Sequence, residues 1–316
     1  MERGWDRIHS FRSVSIPEAE SFVRTADPAA RVSAIQPLTA GLRNTNYRID
    51  LVAGQPLVLR FYTADPSACA REAAILAAIA GRVPVPLIRH FAPTAEPPFS
   101  LFDWLEGSPL DQVLADAGPG DAREIARVCG SALAAIHALH FAAPGFLGPD
   151  VAVASPMPAW APTMLSILAI AAPRLGEELA AGVRRVVESD APAVEAVWSD
   201  AVLVHADFKP WNLLGRAPGA PLPFELTGVL DWEFSCAGCR LIDFGTFLRD
   251  ESRRPEGFGD AFAGGYLAGG GSLPSDWRRL ALLVDLVSVL QLANRHAGRG
   301  SDDLRRLLRE SLDQLG

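Results

Sequence analysis

The segment Val204-His-Ala-Asp-Phe-Lys-Pro-Trp-Asn-Leu-Leu214 limits the possible folds more than any other part of the chain. Its start and its last two residues are apolar and read as strand, while His205, Asp207, Lys209 and Asn212 crowd the loop between them. Thr227-Gly-Val-Leu230 is a second apolar run, and it ends on Asp231, nineteen residues after Asn212. Strand, polar loop and strand in this order bring two carboxylates and a carboxamide to strand ends. A stray His-x-Asp is common, but His-x-Asp-x-x-x-x-Asn followed by Leu-Asp-Trp-Glu is rare, which argues against an ordinary solvated turn.

Either side of this segment the pattern differs. The first hundred residues mix short strands with one helix. Leu51–Val52 and Leu57 to Tyr62 flank the turn Ala53-Gly-Gln-Pro56 and read as a hairpin. Cys69 to Ile79 is an Ala-rich helix with Ile75, Leu76 and Ile79 on its apolar side, stopped by Gly81, Pro84 and Pro86. Phe99 to Leu105 is an apolar strand. Helices then dominate, over residues 121–141, 163–189, 276–296 and 302–315, the last with Leu304, Leu307, Leu308, Leu312 and Leu315 in one stripe. The expected architecture is α+β and two-lobed: a small β-rich lobe over 1–102, a connector over 103–107 and a larger, mostly helical lobe over 108–316.

A formal net charge of −8 argues against nucleic acid as a partner, because phosphate backbones need a basic footprint. It suits a cationic ligand somewhat better. Met1 to Arg12 lacks the apolar run of a signal peptide. Met164–Ala172 is too short to span a membrane, and Leu280–Ala293 is short and carries Asp285 and Gln291. A cytoplasmic protein is expected. Of four cysteines only Cys236 and Cys239 are close, a weak zinc signal, and reduced structural thiols are the expectation. Of 29 basic residues only Lys209 is a lysine, which suggests a place where a compact ammonium matters.

Phosphoryl transfer to a hydroxyl needs a carboxylate near the attacking oxygen and groups that hold magnesium and the triphosphate. Asp207 can supply the base, Asn212 and Asp231 oxygen ligands of the kind magnesium prefers, and Lys209 a charge directed at the phosphate being moved. At these residues the chain resembles the aminoglycoside phosphotransferase and choline kinase superfamily, relatives of the protein kinases. That family's loop reads His-Gly-Asp, four residues, Asn; here it is His205-Ala206-Asp207 and Asn212, with alanine for glycine. Its metal turn is similar to Asp231-Trp232-Glu233. The resemblance implies a protein-kinase-like fold, ATP and Mg2+ as cofactors, Asp207 as catalytic base, and Asn212 and Asp231 as metal ligands. Lys209 is closer to the protein kinase version, where the lysine contacts the transferred phosphate. Asp243-Phe244-Gly245 spells the protein kinase magnesium triplet, but Asp231 sits at the strand end, so Asp243 is read as a carboxylate that braces the loop.

The resemblance also places the nucleotide on the small lobe. Leu38 to Ile49, with Gly41, Asn44 and Asn46, looks like the family's nucleotide loop, whose backbone amides meet phosphates. Arg60 stands where many kinases have lysine, and Glu72 on the following helix is its expected partner, with a surface pair to Arg71 as the plainer account. Phe102, Asp103 and Trp104 belong to the connector, whose backbone meets adenine in this family. The expected partner is a small-molecule hydroxyl compound: aminoglycoside-like, amino-alcohol or sugar-like. Trp160, Asp285, Gln291 and Asn294 are candidates to contact it, although Asp285, Ser288, Gln291 and Arg295 also form a stripe that reads as a solvent face. Glu233 faces the cleft or braces Arg240. The alternative function is a non-catalytic nucleotide-binding scaffold, for which Arg60 and the glycine-poor loop are the only support.

Overall fold

The structure is a computed structural model that describes residues 10–39, 43–217, 223–295 and 299–315. Helix α1 (Ile16–Val23) opens with a reciprocal cap, in which Ser15 accepts from the Glu18 N–H and Glu18 accepts from the Ser15 N–H. Strands β1 (Val32–Leu38), β2 (Thr45–Leu51), β3 (Leu57–Phe61), β4 (Ile88–Ala92) and β5 (Phe99–Asp103) form an antiparallel sheet in the order β1-β2-β3-β5-β4. Thr45, Tyr47 and Ile49 of β2 are buried and alternate with half-buried neighbours, the period-two pattern of a strand with one face on a core. That face, with Ile49, Leu59, Phe61, Phe99 and Leu101, packs under Ala19 and Val23 of α1. Helix α2 (Ala68–Ile79) directs Ile75, Leu76 and Ile79 with Phe102 into the larger core instead.

Beyond the connector, β6 (Ser108–Pro109) precedes α3 (Leu110–Asp116) and α4 (Pro119–His137). A hairpin, β7 (Gly145–Leu147) and β8 (Val153–Pro156), leads to α5 (Trp160–Leu175) and α6 (Glu177–Trp198). The expected continuous helix over 163–189 is two helices, because Gly176 between them has φ 87°, the left-handed region that ends a helix. Strands β9 (Val202–Val204), β10 (Leu213–Arg216), β11 (Glu225–Val229) and β12 (Cys236–Gly238) follow. They form two small sheets, ordered β11-β10-β6 and β8-β7-β12-β9. Helices α7 (Leu241–Leu248), α8 (Phe258–Ala268), α9 (Trp277–Arg295) and α10 (Arg299–Leu315) complete the α+β fold, a β-rich N-terminal part and a larger helical part.

Helices α4 and α8 cross at backbone contact. A methyl group on Gly130 would lie 2.0 Å from the Phe262 carbonyl oxygen, and one on Gly265 would lie 1.9 Å from that of Arg127. The expected helix over 121–141 ends at His137, and His140 pairs with Val202 beside β9. The strand from Phe99 stops at Asp103 rather than Leu105. Among the described residues, no helix is long and apolar enough to cross a membrane.

Candidate active site

A cavity of about 1080 Å³ lies between the five-stranded sheet with α2 on one side and the β9–β10 loop, α7 and α9 on the other. The loop is held from behind. Asp243, fully buried at the start of α7, accepts the backbone N–H groups of His205 and Ala206, both at 2.8 Å, and lies 3.1 Å from His137 Nε2. It brackets the loop and is not part of the cavity wall. His205 is buried too: its Nε2 donates to the Leu230 carbonyl (3.0 Å), and its Nδ1 accepts from the Asp207 N–H (3.2 Å), a pattern that requires the Nε2–H tautomer. These bonds bend the chain so that Ala206 sits at φ 63° and Asp207 turns into the cavity.

Both oxygens of Asp207 are engaged. Lys209 Nζ is 3.0 Å from Oδ1, and Asn212 Nδ2 donates to Oδ2 at 2.7 Å and to the Asp207 carbonyl at 3.0 Å. With its amino group committed, Asn212 keeps its amide oxygen for another partner. The Leu230 N–H donates to the Asn212 carbonyl (2.8 Å), and Leu213 pairs with Val229, so the second strand delivers Asp231 beside Asn212.

Asp231 is left-handed (φ 69°, ψ 61°), a conformation aspartate tolerates better than most residues. Buried Trp232 follows and ties its indole N–H to the Val229 carbonyl (2.9 Å). Arg60 connects this turn to the sheet: Nη2 lies 2.5 Å from Asp231 Oδ1 and 3.6 Å from Glu233, and Nη1 lies 3.3 Å from Glu72 Oε1. Glu72 also accepts from the Tyr62 hydroxyl (2.5 Å) and the Trp232 N–H (3.2 Å). Burial opposes the charge of Arg60, but Glu72, Asp231 and Glu233 outweigh it and hold the guanidinium protonated. Burial likewise works to raise Asp231, yet the charge and hydrogen bond of Arg60 keep its carboxyl below the usual range. Glu233 goes the other way: burial and the neighbouring Asp231 push it up to about 7, against the pull of Arg60 and Arg43.

Among the described residues, no three His, Cys, Asp or Glu side chains gather as a metal cluster. The amide oxygen of Asn212 and the carboxylate of Asp231 are hard oxygen donors on adjoining strand ends, and Asp231 is about one-third exposed to the cavity (32%). This donor set fits magnesium, which takes one or two protein oxygens and completes its shell with water and phosphate.

Of the residues singled out from sequence, Asn44, Asn46, Arg60, Glu72, Phe102, Asp103, Trp104, Asp207, Lys209, Asn212 and Asp231 all line this cavity, and Gly41 lies outside the described residues. Glu72 pairs with Arg60 and not with Arg71, which goes to Asp65 (2.9 Å). Glu233 meets Asn44 Nδ2 at 2.9 Å; Arg240 goes to Asp200 instead. The connector is more restricted than its sequence suggests. The Asp103 N–H is taken by the Leu87 carbonyl (2.9 Å) and the Trp104 N–H by that of Pro56 (3.1 Å), so the first connector N–H beyond them is that of Leu105, also in the cavity wall.

Trp160 is wholly buried in the core, and Asn294 donates to the Ile167 carbonyl (3.2 Å), so neither lines the cavity. Asp285 and Gln291 do, with Ser288 between them. The stripe read as a solvent face therefore faces the cavity at these three residues. Asp285 is bound in two places by Arg249 (2.8 and 2.6 Å), a partner 36 residues away that sequence reasoning missed because no spacing rule joins them. Tyr62 and His137 were also missed: Tyr62 ends a strand already read for Arg60, and His137 is a single polar residue between Ile136 and Ala138 of a helical run. Cys236 and Cys239 are reduced, buried thiols pushed up to about 12, chiefly by burial.

The fold recurs among solved structures. Aminoglycoside 2'-phosphotransferase-IIIa in its GDP complex superposes with a TM-score of 0.73 at 18% identity, covering 95% of this chain and 99% of that one. A thermostable mutant of aminoglycoside phosphotransferase APH(4)-Ia, in ternary complex with AMP-PNP and hygromycin B, gives 0.66 at 19% identity, covering 94% and 97%. Macrolide 2'-phosphotransferase MphH from Brachybacterium faecium gives 0.62 at 18% identity, covering 93% and 97%. No curated protein matches the chain in sequence. The sequence signature described as the phosphotransferase enzyme family matches residues 34–283, a span that holds both the Arg60–Glu72 pair and the loop of Asp207. By that match over most of its length, the chain belongs to the phosphotransferase enzyme family.

Proposed function

We propose that this phosphotransferase moves the γ-phosphoryl group of ATP, with Mg2+, to a hydroxyl of a small molecule. The observation that carries the reading is the convergence of Asp207, Lys209, Asn212 and Asp231 on one cavity, with Asp207 fixed at both oxygens. On this reading Asp207 accepts the proton of the attacking hydroxyl, and the ammonium of Lys209 beside it balances charge on the moving phosphoryl group. Asn212 and Asp231 hold magnesium, which when bound neutralises the phosphate oxygens. Arg60, now paired with Asp231 and Glu72, is the cation in reach of the remaining phosphates. The Leu105 N–H is the connector donor for the base. The nucleotides in the related structures, GDP and AMP-PNP, support a nucleoside triphosphate in this half. The nucleotide-binding lobe over 1–102, connector over 103–107 and catalytic and acceptor lobe over 108–316 belong to the same reading, supported by a sheet that ends at Asp103. The scaffold alternative loses its main support, since Arg60 makes the ion pair with Glu72.

The test is a coupled assay of ADP release over a panel of hydroxyl acceptors. Asp207→Ala is expected to lower kcat by about a hundredfold or more with little change in ATP affinity, as for loss of a general base. Equal turnover by the variant would remove the assignment.

A further inference from the structure

The wall of the cavity away from the sheet, formed by α5, α7, α9 and the β7–β8 hairpin with the Asp207 loop, has a particular charge balance. Apart from Asp231 and Glu233, which lie against Arg60 where the cavity meets the sheet, the charged side chains described on it are Asp207 with Lys209, 3.0 Å apart, and Asp285 with Arg249, joined by bonds of 2.8 and 2.6 Å. Each acid stands against a base. The Asp285–Arg249 pair is built into the wall, with side chains only 8% and 9% exposed, so its charges cancel in place. The rest of this wall is neutral. Met157, Ile242 and Val287 are half-buried and offer apolar surface, Trp198 and Val284 line the wall as buried residues, and Thr163, Ser288 and Gln291 offer hydroxyl and amide groups. Val284, Val287, Ser288 and Gln291 recur at helical spacing, so one side of α9 borders the cavity over residues 284–292.

An ammonium group entering this half leaves water for a surface whose acids are already matched, and a buried charge without a partner is strongly disfavoured. An apolar body loses nothing by the same move and gains from burial. We propose that the acceptor is an uncharged hydroxyl compound with a sizeable apolar body, buried against the cavity face of α9 and oriented by Ser288 and Gln291, and that polyamine acceptors are discriminated against. The inference rests on the phosphotransferase reading of this cavity. It reverses the expectation drawn from the net charge of −8, because that charge lies outside this wall.

Calorimetric titration of the full chain with matched probes tests it: octyl β-glucoside below its micelle concentration, its 2-amino-2-deoxy analogue, methyl β-glucoside and kanamycin. The neutral octyl glycoside is expected to bind at least about tenfold tighter than its amino analogue and than the methyl glycoside, with kanamycin weaker still. Ser288→Asp, or Gln291→Glu at an exposed position, is expected to narrow or invert the neutral-over-amine preference. An amino analogue or kanamycin that binds as tightly as the neutral probe, glycosides that do not bind, or a preference unmoved by both variants would overturn the proposal. Binding is read without phosphoryl transfer. Loss of the preference thus leaves Asp207-dependent turnover standing, and a chain that binds the neutral probe but never transfers phosphate refutes only the kinase reading.

Discussion

Ala206 occupies φ 63° in a stretch of three fixed backbone N–H groups, those of His205 and Ala206 held by Asp243 and that of Asp207 by His205. The left-handed conformation costs an alanine about 1 kcal/mol. Glycine removes that cost but loses ~0.5–1 kcal/mol of backbone entropy. Ala206→Gly is therefore expected to move Tm by less than about 3 °C and to keep full turnover. Ala206→Val should lower both, and melting curves with the coupled assay decide. Burial raises the thiols of Cys129, Cys236 and Cys239, the last two to about 12. At pH 8 the thiolate fraction of Cys236 is then on the order of 10⁻⁴, so iodoacetamide should label the folded protein very slowly and all four cysteines once it is denatured. At this scale the sequence was informative about position: the His-x-Asp-x-x-x-x-Asn spacing, the Leu-Asp-Trp-Glu turn and the family resemblance single out Asp207, Asn212 and Asp231, and all three line one cavity. It was silent where a side chain's partner is remote in sequence, as for Asp285 with Arg249.

Elements with strong periodicity were legible to within a few residues: the expected helices from residues 69, 276 and 302 correspond to α2, α9 and α10. Helix α1 was passed over although Ser15-Ile-Pro-Glu18 carries its capping box, because eight residues give too short an apolar stripe to notice. The break at Gly176 was hidden because an isolated glycine in a helical pattern is compatible with continuation, and only its φ shows otherwise. Asp243-Phe244-Gly245 acquires its meaning at this scale. A methyl group on Gly245 would lie 2.6 Å from the Ala281 carbonyl oxygen and 2.7 Å from Asp285 Cβ, so the glycine allows α7 to close on α9 while Asp243 reaches the loop. Gly245→Ala is expected to destabilise by roughly 1–3 kcal/mol, and to raise KM for the acceptor more than for ATP because it displaces Asp285. Thermal melts and separate KM measurements check both parts.

For the whole molecule, a ligand that binds only the folded chain stabilises it by mass action, about 2.7 kcal/mol at a hundred times Kd. Magnesium with ATP is expected to raise Tm by several degrees, and ATP with chelator by less. Asp231→Asn, which keeps the size and the tolerance for φ 69°, should abolish the magnesium-dependent part in scanning calorimetry. The order of a β-rich part and a helical part could be read from the chain because the long helical stripes all follow residue 108, although short strands occur on both sides of it. The charge balance of the cavity wall that carries Asp285 and Arg249 could not, since a net charge sums the surface and is blind to acids already paired.

Lys209 is the single lysine of the chain; its side chain is 18% exposed and its Nζ rests against Asp207. Reagents that target side-chain amines are ordinarily scattered over a protein surface. Here they have one side-chain address, at the floor of the cleft. Reductive methylation with a carbon-13 reagent would accordingly install one side-chain resonance, a spectroscopic probe of the proton on its neighbouring acid built into the primary structure.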